Sequence, residues 1–202
     1  YIFESYDAFE TGLIKHIEGF AEVTKVARAV PIMPVVSGRQ TPPPFSTIES
    51  LVEYSEENGL SLGALGLIYE KHRSGLNEAE LSDKMKSLID IIEGSIKTGL
   101  SGTVFQDRIL PQQSNLVKKA EKSGKILQNS IINKIVENVA AIMESKSALE
   151  VIVANPTAGS CGTVGAVLRA VADEVEATEE DTIMAYYAAG LVGAYFAMGP
   201  GF

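Results

Sequence analysis

The stretch NEAELSDKMKSLIDIIEGSIKT, from Asn77 to Thr98, decides the fold of this 202-residue chain. Its apolar side chains recur every three or four residues, the spacing that gathers them on one face of an α-helix. They are Leu81, Met85, Leu88, Ile91, Ile92 and Ile96. Asn77 followed by Glu80 is the pattern of a capping box, in which each side chain accepts a hydrogen bond from the other residue's backbone amide. The stretch therefore predicts a long amphipathic helix over residues 78–98.

Two further helices are predicted on the N-terminal side of this stretch. Ser46 and Glu49 repeat the capping-box pattern and predict a helix that ends at about Asn58, just before Gly59. A second helix is predicted over residues 61–73. Together with the helix over residues 78–98, they indicate an all-α beginning to the domain.

A proline-rich segment precedes these helices. Pro31, Pro34 and the run at residues 42–44 remove amide donors and hold the backbone extended, so residues 30–45 are interpreted as a linker. Before it, residues 1–29 contain an amphipathic helix that we interpret as the tail of a preceding domain. The main domain is predicted to cover residues 46–202.

The C-terminal half also has helical periodicity. Helices are predicted over residues 114–122, 130–143, 163–175 and 178–198. The run Leu149–Ala154 is continuously apolar and rich in β-branched residues, which favours a buried strand or an extended segment. The fold class predicted is therefore mainly all-α, with at most a short buried strand before the loop Asn155–Gly162. The last helix is the most apolar, and its large side chains are predicted to lie in the core: Met184, Tyr186, Tyr187, Tyr195, Phe196 and Met198.

Composition excludes several classes of protein. The net charge is −9, and acidic and basic residues are interspersed along the chain. The sequence therefore lacks the basic stripe that binding to the phosphate backbone of nucleic acid requires. The longest apolar stretch, residues 185–198, falls short of the roughly 20 residues that span a bilayer. One cysteine allows no internal disulfide and no multi-cysteine metal cage. Because the sequence also has no signal-peptide pattern, we expect the protein to be located in the cytoplasm.

The opening Tyr1 and the turn-like end at Phe202 indicate an internal fragment of a longer polypeptide.

One segment combines the features of an anion site. Asn155-Pro156-Thr157-Ala158-Gly159-Ser160-Cys161-Gly162 lies between the apolar run and a predicted helix start. Small residues let a ligand approach the backbone, and hydroxyls lie beside amides at a helix N-terminus, which suits a carboxylate. An ordinary turn followed by a helix cap has the same pattern, and spacing alone leaves both interpretations open. The residues predicted to bind substrate are Asn155, Thr157, Ala158, Gly159, Ser160 and Gly162.

The other polar candidates are interpreted as solvated side chains. His16 and His72 lie in polar surroundings, and Arg39 lies in the linker. The basic patch on the predicted helix near residue 118 is interpreted as a solvated face, formed by Lys118, Lys119, Lys122 and Lys125. No catalytic residue and no metal ligand is assigned.

The loop and four other segments resemble one known family. The segment at residues 155–164 resembles the alpha-type domain of the iron–sulfur-dependent L-serine dehydratases, or L-serine ammonia-lyases. A less specific resemblance to the same domain is found at residues 47–53, 60–62, 97–102 and 188–194. The resemblance covers residues 46–202. It implies a lyase of amino-acid metabolism and gluconeogenesis that converts L-serine to pyruvate and ammonia. A [4Fe–4S] cluster then binds the substrate hydroxyl as a Lewis acid while a base removes the α proton. A beta-type domain or subunit and a homo-oligomeric assembly are the partners implied.

The chain departs from the family in its cysteines. The family's cluster cysteines lie in Gly-Cys-Gln, Cys-Asp-Pro-Val and Val-Pro-Cys contexts, which would follow Phe202. Cys161 is interpreted as a small buried thiol rather than a ligand. The fragment alone is therefore expected to hold no cluster and to be inactive, with the cluster supplied by the missing C-terminal part.

Two alternative functions stay open. An iron–sulfur cysteine desulfidase shares the domain and eliminates sulfide instead of water. A non-catalytic, amino-acid-binding helical domain would keep the pocket without turnover. A pyridoxal-phosphate lyase is disfavoured, because no convincing Schiff-base lysine lies near the loop.

Overall fold

Eight α-helices make up the regular secondary structure of the residues described by this computed structural model, namely residues 11–19, 22, 41–106, 108, 111–128, 130–155 and 159–198. They are α1 (Thr11–Glu18), α2 (Ile48–Asn58), α3 (Leu62–Ser74), α4 (Glu78–Ser101), α5 (Ser114–Lys122), α6 (Ile131–Ser147), α7 (Cys161–Glu174) and α8 (Glu179–Met198). The prediction of a mainly all-α fold is confirmed.

The chain divides into two units, Tyr1–Pro34 and Val35–Phe202. The first contains α1, which is the described part of the N-terminal amphipathic helix; the rest of that predicted helix lies outside the described residues. Most of the predicted linker also lies outside them. Its described end, residues 41–45, has no regular secondary structure and buries Phe45.

The start of α2 corrects one prediction. The N-cap is Thr47, not Ser46: the Ser50 amide donates to Thr47 Oγ1 at 3.2 Å, and the Thr47 amide donates to Ser50 Oγ at 3.0 Å. Because the helix begins one residue later than expected, Ser50 rather than Glu49 takes the third helical position. The capping-box principle holds with different partners.

The capping box predicted for α4 is confirmed. The Asn77 amide donates to Glu80 Oε2 at 2.9 Å, and the Glu80 amide donates to Asn77 Oδ1 at 3.0 Å. The helix continues to Ser101, three residues beyond the predicted end. Gly59, with φ at 63°, ends α2 in the left-handed conformation that glycine adopts without strain.

The apolar run before the loop forms no strand, and residues 150–154 have no regular secondary structure. Leu149 has a φ of 59° and is exposed, and Val151 is exposed as well, while Ile152 and Val153 pack against the core. A strand needs a neighbour to bond its amides and carbonyls. Because the described residues contain no strand that could pair with this segment, its β-branched residues form an irregular connection between α6 and α7.

Close helix–helix contacts hold the second unit together. The main core is built from buried side chains of α4, α6, α7 and α8, and α3 packs along α8. A Cβ atom at Gly99 of α4 would lie 2.5 Å from the carbonyl carbon of Ala141 in α6, so the two backbones touch. The buried Ser145 hydroxyl donates across the same interface to the Ser95 carbonyl at 2.6 Å.

Helix α8 contributes less of its surface to the core than predicted. Tyr186 and Tyr187 are buried, and Met184 and Tyr195 are partly buried. Phe196 is 67% exposed, which contradicts its predicted core position, because a helix that is apolar on every side also turns apolar side chains outward. The Met198 side chain lies outside the described residues.

Within the described part of the chain, no helix is long and apolar enough to cross a membrane.

Candidate functional site

The predicted loop leads directly into α7. Asn155 and Ser160 are partly buried, and Gly159 is exposed. Gly162 is buried in the first turn of the helix. Thr157 and Ala158 lie outside the described residues, so their predicted roles stay predictions.

The N-terminus of α7 is pressed against α6 because its first residues are small. A Cβ atom at Gly162 would lie 3.3 Å from the Val139 carbonyl oxygen and 3.4 Å from Met143 Cγ. Cys161 is 2% exposed and belongs to the core, as predicted for a small buried thiol.

Helix α7 begins two residues earlier than predicted, so the amides of Cys161 and Gly162 belong to its first turn. Ser160 is the N-cap, and its carbonyl accepts a hydrogen bond from the Thr163 amide at 3.1 Å. First-turn amides have no partner within their own helix, and the helix dipole makes this end positive. The arrangement favours an anion at the end of the loop.

The structure describes most of the other polar candidates. His72 contacts Thr41 through Nδ1 and Oγ1 at 3.2 Å, and His16 is exposed. The lysines of the basic patch are all exposed, in agreement with a solvated face. Arg39 lies outside the described residues.

A buried carboxylate in α6 was missed by the sequence reasoning. Glu144 is 8% exposed and accepts hydrogen bonds from the Thr103 hydroxyl and from Arg108 Nη2, the latter at 2.7 Å. The Arg108 guanidinium also lies 4.2 Å above the Phe105 ring. Glu144 directly follows Met143, which faces Gly162.

The hydrogen bonds keep Glu144 ionised. Burial opposes ionisation, but the hydrogen bonds from Arg108 and Thr103 and the positive charge of Arg108 outweigh it and lower the Glu144 pKa. Charged Glu144 therefore stabilises the folded state at pH values above the ordinary glutamate pKa. That contribution is lost as the pH falls through the lowered pKa of the folded state.

Glu144→Gln should lower the free energy of unfolding by about 1–2 kcal/mol at pH 7, because Arg108 loses its charged acceptor. The difference from the unmodified chain should shrink as the pH falls from 7 to 3. Urea denaturation across this range measures it, with the exposed Glu150→Gln as the control. A difference that does not change with pH would show that the Glu144 charge is irrelevant to stability.

Comparison with known proteins decides the family. A family model described as serine dehydratase alpha chain matches residues 46–201. The chain belongs to this family. The region matched by the serine dehydratase model includes helices α2 to α8, the loop before α7 and Glu144. The resemblance predicted from the loop and the helical segments is confirmed.

Individual relatives agree with the family assignment. The chain is 26% identical over 149 residues to the probable L-serine dehydratase alpha chain of Bacillus subtilis, covering 74% of this chain and 50% of the relative. It is 28% identical over 163 residues to L-serine dehydratase 1 of Escherichia coli, covering 78% and 36%. It is 25% identical over 131 residues to the L-serine dehydratase alpha chain of Peptoniphilus asaccharolyticus, covering 64% and 45%. The chain thus spans half or less of the length of these relatives. No solved structure matches.

Proposed function

We propose that this domain forms the amino-acid-binding part of an L-serine dehydratase, which as a complete enzyme converts L-serine to pyruvate and ammonia. The observation that carries the proposal is the small-residue start of α7, with Gly162 buried against α6, inside the matched family region. The substrate carboxylate binds at this helix end. The proposed binding residues are Asn155, Thr157, Ala158, Gly159, Ser160 and Gly162.

The chemistry of the helix end supports a carboxylate ligand. A helix N-terminus favours an anion by roughly 0.3–1 kcal/mol when exposed, and by more when it is partly buried. Hydrogen bonds from amides and hydroxyls to a carboxylate are charge-assisted and add to this attraction. The loop therefore positions the amino acid, while the exposed Gly159 keeps the backbone accessible to it.

The residues of this chain do not fit an iron–sulfur cluster. Such a cluster needs several thiolates, whereas this sequence has one cysteine, and Cys161 is buried in the core. Among the described residues, no group of three or more His, Cys, Asp or Glu side chains could hold a metal ion. We therefore propose that a [4Fe–4S] cluster is held by cysteines outside these 202 residues.

The proposal includes partners and a compartment. Two relatives are named alpha chains, which supports a beta-type domain or subunit as the partner of this one. We also propose a homo-oligomeric enzyme in the cytoplasm, where a single reduced thiol is typical.

The 202-residue chain alone should bind no stoichiometric cluster. Iron and acid-labile sulfide are measured after anaerobic reconstitution and removal of excess iron. A cluster present at one per chain would contradict the proposal, because a single thiol cannot supply the usual ligand set.

The function is tested on the longer protein that contains this domain, reconstituted anaerobically. Release of pyruvate from L-serine supports the dehydratase. Release of sulfide from L-cysteine without turnover of serine identifies a desulfidase. Binding of serine without either product identifies a non-catalytic domain, the alternative that the single cysteine favours.

A further inference from the structure

Helix α8 carries an apolar stripe that faces away from the core. Residues 182–198 of this helix contain no charged side chain. Four apolar residues spaced three or four apart share one side of the helix, and we call them the outer stripe. They are Ala185, Ala189, Val192 and Phe196. The two alanines are partly buried, whereas Val192 is 41% exposed and Phe196 67% exposed.

The opposite side of α8 is already packed. Ile183, Tyr187 and Leu191 follow one another at intervals of four residues and are all buried. The first two belong to the main core, and Leu191 belongs to a smaller cluster with Phe45 and Leu65. The solvated face of a helix normally carries charged and polar side chains. Because the outer stripe has none, its composition is that of a second buried face.

The shape of the outer stripe indicates what would cover it. Spacings of three and four residues are those at which one helix packs against another. The small side chains of Ala185 and Ala189 allow a neighbouring helix to approach closely, and Val192 and Phe196 project at the other end of the stripe. The complementary surface is an apolar helix that places large side chains beside the alanines and small ones beside Phe196.

The lengths of the relatives indicate where such a helix would come from. Half or more of each relative named an alpha chain lies outside the part aligned with this chain. The first of these alignments takes up 149 of the 202 residues, which leaves too few to match the other half of that relative. These alpha chains therefore contain a further stretch of polypeptide, long enough for several helices of ordinary length.

We propose that the outer stripe of α8 is an interface within the alpha chain, covered in the longer protein by an apolar helix from outside these 202 residues. The inference rests on the family assignment and, within the proposed function, only on the proposal that a longer protein contains this domain. It does not depend on the reaction or on the loop before α7.

The first test measures the accessibility of the outer stripe. Val192→Cys is made in the 202-residue chain and in the longer protein, and maleimide labelling of residue 192 is followed by peptide mass spectrometry. Labelling should be about tenfold slower, or more, in the longer protein, because a covered thiol reacts only when the interface opens. Leu127→Cys, at a position that is 83% exposed, is the control and should be labelled equally fast in both.

The second test identifies the occupant. Phe196 is replaced in the longer protein by the photo-crosslinking amino acid p-benzoylphenylalanine, which keeps the aromatic ring, and the crosslinked peptides are sequenced. They should join residue 196 to a segment of the alpha chain outside these 202 residues. Crosslinks to a beta-type domain or subunit, or to α8 of a second copy, would overturn the proposal.

Two results of the labelling experiment would also overturn it. Equal labelling of residue 192 in the two proteins would mean that the outer stripe stays open. Labelling that becomes faster on dilution would mean that a second copy covers the stripe. Neither measurement involves turnover of serine, so a failure of this inference is distinguishable from a failure of the proposed function.

Discussion

Replacing Gly99 by alanine should lower the free energy of unfolding by about 3 kcal/mol or more. The new Cβ atom would overlap the carbonyl oxygen of Ala141 and lie 2.5 Å and 2.6 Å from its carbonyl carbon and Cα. These are backbone atoms of α6, so no side-chain rotation can relieve the overlap and α4 must move away. That movement would also strain the buried hydrogen bond from Ser114 Oγ to the Gly99 carbonyl, which is 3.0 Å long.

Gly94→Ala is the matched control on the same helix. Gly94 is exposed, and a Cβ atom there meets nothing within 4 Å. Alanine should stabilise this position by roughly 0.5–1 kcal/mol, since it restricts the unfolded chain and favours the helix. Urea denaturation of both variants measures the contrast. Similar changes in stability at the two positions would show that the α4–α6 backbone contact is not tight.

If the proposed function holds, Gly159→Val in the longer protein that contains this domain should reduce kcat/KM for L-serine by about 100-fold or more. A branched side chain there would occupy the space proposed for the substrate carboxylate at the start of α7. Gly159 is exposed, so the valine should leave the packing of α7 on α6 intact. Ser160→Ala should cause a smaller loss, about tenfold, because it removes one hydrogen-bonding hydroxyl.

Three measurements separate a site effect from a folding effect. Steady-state kinetics give kcat/KM, the visible absorbance of the reconstituted longer protein reports the proposed cluster, and circular dichroism reports the helices. Gly94→Val provides the same substitution at an exposed helical glycine and should retain activity. Unchanged kinetics in Gly159→Val would mean that the loop is only a structural turn.

Local patterns in the sequence were sufficient to predict most of the helices. Asn77 with Glu80 located the start of α4, and Gly59 located the end of α2, because caps and left-handed glycines act over a few residues. The segment before the loop was harder to predict. Val151 to Val153 have the side chains of a strand, but whether a strand forms depends on a pairing partner elsewhere in the chain.

The Glu144 network could not be predicted in the same way. Thr103 is 41 residues away in the chain, and Arg108 follows an irregular segment, so only the folded structure brings them to the carboxylate. Asn138 did leave a signal. It lies on the same helical stripe as the buried Ala141 and Ser145, and a polar residue on such a stripe predicts a buried polar side chain.

The direct contact between α4 and α6 limits how this family can vary in length. The alignment of the two helices is fixed at two points. One is the backbone contact of Gly99 with Ala141, and the other is the hydrogen bond between Ser145 and Ser95. Deleting one residue between Ala141 and Ser145 would turn the rest of α6 by about 100° and separate one pair from its partner. Insertions should instead be tolerated in exposed connections such as residues 123–125, where no buried alignment depends on the number of residues.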